Sequence, residues 1–119
     1  MKFSPRQSMF MRNDRIYLIH INEAIDSIEQ YLEGISYDQF TSNKMILDAV
    51  VRELEIIGEA SNNLSEEFRE HHSDILWRRM KDMRNFLIHE YFGVNTKVVW
   101  DTCKKNLPEL KQFVTDILD

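Results

Sequence analysis

Tyr17-Leu18-Ile19-His20-Ile21-Asn22-Glu23-Ala24-Ile25-Asp26-Ser27-Ile28-Glu29-Gln30-Tyr31-Leu32 decides the fold class. Tyr17, Leu18, Ile21, Ala24, Ile25, Ile28, Tyr31 and Leu32 recur at threes and fours. That spacing draws one stripe on an amphipathic helix, predicted from Asp14 to Glu33. Gly34, just past the stripe, is a natural terminator. His20 sits at the stripe's edge and reads as a surface or partly buried structural histidine.

The same period returns downstream. Ile46, Ala49, Val50, Leu54, Ile57 and Ala60 predict a second long helix from about Ser42 to Asn62. Glu53 falls inside that apolar face, where a carboxylate needs a partner or lines a polar cleft or a subunit contact, and a helix–helix ion pair is expected ahead of catalysis. Leu76, Met80, Met83 and Leu87 form the core stripe of a third long helix, from near Ser73 to Tyr91 or Phe92 with Gly93 past its end. Shorter pieces fill the gaps. Ser36-Tyr37-Asp38-Gln39 has capping-box spacing, and Ser65 caps a short helix through Glu70. Asn95 or Thr96 starts a helix that buries Val99, Trp100 and Cys103. Pro108 interrupts it or begins a last segment packed through Leu110, Phe113, Val114, Ile117 and Leu118.

With 3 glycines, 2 prolines and no alternating β-branched runs, the 119 residues predict an all-α, up-and-down helical bundle of three long helices plus shorter ones. Residues 13–119 form one domain. Residues 1–12 carry Lys2, Arg6 and Arg12, contain Pro5, show no apolar period and read as a flexible N-terminal arm. The longest N-terminal apolar run, Met9-Phe10-Met11, is too short for a signal peptide or a membrane span, so a cytoplasmic protein with no membrane partner is expected. The single Cys103 cannot form an internal disulfide and reads as a small core residue in a reducing compartment. His71-His72 lacks converging ligands and reads as a polar turn, so no metal site is expected.

Net charge is −5, yet it is unevenly spread. From Trp77 to Lys105 there are seven basic side chains (Arg78, Arg79, Lys81, Arg84, Lys97, Lys104, Lys105) against three acidic ones (Asp82, Glu90, Asp101). That is a local +4 on a chain that is −9 elsewhere. A basic field confined to one region suits a polyanion held at one site.

Inside this region lies Arg84-Asn85-Phe86-Leu87-Ile88-His89-Glu90-Tyr91, which carries a permanent cation, an amide, an imidazole and a phenol. Arginine holds phosphate and histidine moves protons near neutral pH. At about 100° per residue, Asn85 and His89 stack on one another with Arg78 and Asp82, nearly opposite the core stripe. Arg84 and Tyr91 stack on an adjacent flank near Trp77 and Ile88. Arg84 and His89 are then about 140° apart, so one straight helix does not aim both at one phosphate. Either the helix unwinds near His89, or two copies cross in a dimer. An exposed apolar flank of Trp77 and Ile88, which would need cover, favours the dimer.

Arg84, four residues, His89, one residue, Tyr91 resembles the signature of HEPN-domain ribonucleases, above all HepT-like toxins paired with a minimal nucleotidyltransferase (MNT) antitoxin. Glu55-Ile56-Ile57-Gly58-Glu59-Ala60, Trp77-Arg78, Tyr91-Phe92-Gly93-Val94, Val99-Trp100-Asp101 and Leu107-Pro108-Glu109-Leu110 extend the resemblance over about residues 12–118. It implies a HEPN bundle, a homodimer with a composite cleft and cofactor-free, metal-independent cleavage of RNA in a type VII-like toxin–antitoxin system. By position it implies Arg84 and His89 as the catalytic pair, and Asn85, with Arg78 and Lys81 of the basic segment, as supporting RNA-binding residues. Tyr91 matches the tyrosine that the nucleotidyltransferase partner adenylylates with ATP. Asp82 departs from the pattern, since relatives often carry glycine there. Its carboxylate would repel phosphate or hold His89 protonated. The alternatives are a catalytically inactive HEPN module that binds nucleotide or RNA, and a helical adaptor.

Overall fold

The structure, a computed structural model, describes the backbone of residues 5–72, 74–89 and 95–119, and the side chains of these residues except 5–12, 74, 75, 88 and 89. The described residues form an all-α bundle without a strand. Three long helices dominate: α1 (Pro5–Leu32, 28 residues), α3 (Lys44–Asn63, 20 residues) and α5 (Asp74–His89, 16 residues). Between them lie α2 (Tyr37–Ser42) and α4 (Glu66–His71), and α6 (Thr96–Asp101) and α7 (Leu107–Leu118) close the fold. No helix among the described residues is long and apolar enough to cross a membrane.

Local signals explain the boundaries. Gly34 takes φ 72°, the left-handed conformation that turns the chain out of α1. Ser36 and Gln39 form a reciprocal capping box that starts α2, and the Asn43 side chain accepts from the Ile46 N–H to start α3. Ser65 caps α4 through the Phe68 N–H, and Asn95 caps α6. One boundary differs from the sequence reading. The α1 backbone is helical from Pro5 rather than from near Asp14. Proline fits a first helical position, where its missing N–H has no partner to lose. Pro108 lies in the first turn of α7, so it begins a last segment, the second of its two expected roles. A π-turn over Thr102–Asn106 joins α6 to α7, and the Leu107 N–H bonds to the Thr102 carbonyl. That widened turn accommodates a proline that would clash with the carbonyl four residues back.

α1 packs along α3, α3 along α5, and α7 returns against α1. Ile21, Ile25, Ile28, Val50, Ile57, Leu87, Leu107, Leu110 and Val114 are at most 2% exposed and form the central core. The expected core stripe of α5 is present: Leu76, Met80 and Leu87 are buried and Met83 packs against them. Asp14 is buried and binds the N-terminus of α4, accepting from both the backbone N–H and the hydroxyl of Ser65 at 2.8 Å. Ser65 thus caps α4 while being held by α1.

Trp77 corrects an expectation. It is 1% exposed, packed against Phe68 of α4 and Phe113 of α7, and its indole N–H donates to the His72 carbonyl at 2.7 Å. It belongs to the core and offers no exposed flank. Its suggested companion Ile88 has its side chain outside the described residues. Glu53 is a second correction. It is half-buried and makes no ion pair among the described residues. Burial pushes its carboxyl above the usual carboxylate range, against the opposing influence of Arg52.

Candidate functional site

Arg84 is placed by the crossing of α3 and α5. Gly58 lies at the crossing. A Cβ added there would overlap the Cβ of Arg84 and come within 3.0 Å of the Met80 carbonyl and 3.1 Å of Arg84 Cγ. The absence of a side chain at Gly58 therefore lets the two helices close and lets the arginine stem cross over α3. Beyond it, Arg84 Nη2 meets Glu59 Oε2 at 2.6 Å, a charge-assisted contact one residue along the same helix. The guanidinium end is thus held, with its stem half-buried.

Beside it opens a pocket of about 410 Å³ between α1, α3 and α5. Tyr17 and His20 of α1, Arg52, Glu55 and Glu59 of α3, and Arg84 line it. The Tyr17 and His20 rings meet edge to face with centroids 6.4 Å apart, and Arg52 pairs with Glu55 at 3.7 Å. Two guanidiniums face two carboxylates here. An anion entering the pocket meets a balanced field and competes with those carboxylates for the arginines. The exposed His20, read from the sequence as structural, lines this pocket.

The other predicted residues face a different depression. Arg78, Lys81, Asp82 and Asn85 line a pocket of about 450 Å³ with α4 residues, among them Arg69. Arg69 Nε is buried there with no hydrogen-bond partner among the described residues. One chain therefore brings Asn85 together with Arg78 and Lys81, but not with Arg84. The separation follows from helix geometry, since adjacent positions diverge by about 100°.

The backbone of α5 remains helical through His89, so the option of unwinding before that residue does not apply. On that helical backbone, positions 84 and 89 still lie about 140° apart around the axis. The His89 side chain lies outside the described residues, and so does the whole of Tyr91.

Arg52 and Arg69 were missed in the sequence reading, Tyr17 was read as part of the buried stripe, and Glu59 figured in the resemblance without a role. A signal for Arg52 and Glu59 was the i, i+3, i+7 spacing of Arg52, Glu55 and Glu59 along one side of the second long helix. Among the described residues, no group of three or more His, Cys, Asp or Glu is placed to hold a metal ion.

The family model described as "Ribonuclease HepT-like" matches residues 21–117. The chain is 45% identical over 108 residues to the protein named "Putative RNase TTE0752" of Caldanaerobacter subterraneus subsp. tengcongensis, covering 91% of this chain and 96% of that one. It is 46% identical over 100 residues to "Probable ribonuclease HepT" of Thermococcus cleftensis, covering 84% and 91%. It is also 44% identical to "Gamma-glutamylcyclotransferase and putative RNase MJ0434" of Methanocaldococcus jannaschii, covering 92% of this chain and 50% of that longer protein. No solved structure matches the chain.

Proposed function

The chain belongs to the ribonuclease HepT-like family, and on that premise we propose that it is a metal-independent endoribonuclease whose cleft is shared between two copies. The observation that carries the reading is the mounted Arg84: a half-buried arginine held by Glu59 at the wall of a pocket, on a helix that carries His89 at its end. A continuous helix sets positions 84 and 89 about 140° apart around its axis, and crossing two copies of α5 supplies an arginine and a histidine to one phosphate.

In this mechanism His89 takes the proton from a ribose 2′-OH or gives one to the leaving 5′-oxygen. Arg84 stabilises the charge that builds on the phosphorane-like transition state. Asn85 orients His89 or donates a hydrogen bond to phosphate, while Arg78 and Lys81 hold the flanking backbone. The 2′-oxygen displaces the 5′-oxygen at phosphorus, leaving a 2′,3′-cyclic phosphate and a free 5′-hydroxyl. DNA lacks that nucleophile and survives.

The same proposal takes the chain as the toxin of an MNT-paired toxin–antitoxin system, silenced by adenylylation of Tyr91. The added nucleotide brings a bulky anion near Arg84 and His89 and repels RNA by charge and volume. The test is cleavage of RNA and of a matched DNA oligomer in the presence of EDTA. Wild type cuts RNA alone, and Arg84→Ala and His89→Ala do not. Equal cleavage of DNA, or an active double variant, refutes the route. Tyr91→Phe stays toxic and escapes the partner with ATP; covalent silencing of that variant refutes the switch. A non-catalytic RNA- or nucleotide-binding reading is favoured by one feature, the carboxylate of Glu59 already bound to Arg84. In the same assay it predicts RNA retention without cleavage.

A further inference from the structure

Resting on that reading of Arg84, we infer that Gly58 and Glu59 form a two-point mount for it, with Glu59 as a positioning residue of the phosphate-binding arginine. Two observations converge on consecutive residues of one helix. Gly58 leaves room for the first carbons of the arginine stem and for no side chain of its own. Glu59 Oε2 holds Nη2 at the far end at 2.6 Å. An arginine tethered at both ends has lost most of its rotamer freedom before substrate arrives, so less is lost on binding phosphate.

The exposure of the pair shows what the contact is for. Glu59 is 53% exposed and Arg84 28%. An ion pair so open to solvent adds little to folding stability, because water and salt screen it. Its effect is on direction. A guanidinium has five N–H donors in a planar fork, and engaging one of its nitrogens restricts its rotation at the wall of the pocket that Arg84 lines, with the other donors left to a ligand. The alternative role for the same contact is a brake, in which Glu59 occupies the donors that phosphate needs. The two roles predict opposite changes in kcat when the carboxylate is removed.

The experiment compares wild type, Glu59→Ala, Glu59→Gln and Arg84→Ala. It reads RNA cleavage as separate kcat and KM, and rotation of the Arg84 guanidinium by NMR of its side-chain nitrogens, assigned by their loss in Arg84→Ala. Wild type shows hindered rotation and Glu59→Ala shows free rotation. Glu59→Ala loses about 100-fold in kcat with KM changed by less than about 3-fold, the scale expected when a reacting group is misplaced. Glu59→Gln keeps an acceptor oxygen and recovers to within about 10-fold of wild type. A Glu59→Ala kcat equal to or above wild type overturns the mount in favour of neutrality or a brake. Hindered rotation that persists in Glu59→Ala overturns it whatever the activity. A wild type that cuts no RNA, yet whose Arg84 is released by Glu59→Ala, refutes the ribonuclease reading and leaves the mount standing.

Discussion

Replacing Gly58 by alanine adds one methyl group at the point where α3 crosses α5, and two opposing effects follow. In an unhindered helix the change is favourable, because alanine exceeds glycine in helix propensity by about 1 kcal/mol. At this position the new Cβ would overlap the Cβ of Arg84 and lie 3.0 Å from the Met80 carbonyl oxygen. Neither neighbour is the free end of a flexible side chain, so the helices must separate or slide. Overpacking of this kind costs about 1–3 kcal/mol. The net expectation runs from about zero to about 2 kcal/mol of lost stability, in place of the gain of about 1 kcal/mol seen where space is open. The assay is urea unfolding followed by the fluorescence of Trp77 and Trp100, with the slope checked for constancy. RNA cleavage should fall further than stability does, because displacement of α5 carries Arg84 with it. Arg84→Gly removes the opposing carbons, so the double variant should show a coupling of about 1 kcal/mol or more in the relieving direction. A Gly58→Ala protein about 1 kcal/mol more stable than wild type, with full activity, would refute the close approach of the helices and the reasoning built on it.

Three other perturbations test the packing. Trp77→Ala should cost about 3–5 kcal/mol by urea unfolding, since it empties a site between Phe68 and Phe113; a loss under about 1 kcal/mol would restore the exposed-flank reading. Asp14→Ala should cost about 2–3 kcal/mol, because the carboxylate binds both the N–H and the hydroxyl of Ser65; unchanged stability would mean that α1 does not hold the start of α4. Burial pushes the Cys103 thiol from 9.0 up to about 12. At pH 8 the native protein should therefore carry about 1,000-fold less thiolate than the unfolded chain and react correspondingly slowly with a thiol reagent. The native thiol keeps its proton where the unfolded one releases it, so this group's contribution to stability falls as pH rises from 9.0 towards about 12. Cys103→Ala should flatten that part of the curve, and an equally steep curve in the variant would contradict the shift.

Residue patterning along single helices was legible because it depends on local geometry. The stripe Leu76, Met80, Met83 and Leu87 met the core as its spacing required, and Ser36, Ser65 and Asn95 capped the helices their side chains were suited to cap. Trp77 was misread for an instructive reason. A helical wheel assumes one buried face, whereas α5 is covered from a second side by Phe68 of α4 and Phe113 of α7. Glu53 failed in the opposite way: its position on the wheel implied a partner, and the fold left it half-buried with a raised proton affinity.

By itself, then, the sequence determined an all-α chain, the caps and stripes of its helices, and the divergence of positions 84 and 89, because a residue's angle on a helix follows from its number. Tertiary structure decided which side chains met across helices. Glu59 and Arg84 are 25 positions apart along the chain, by their numbers, and nothing in either local segment pairs them. Their 2.6 Å contact exists because Gly58 lets α3 and α5 approach closely enough for the arginine to reach across.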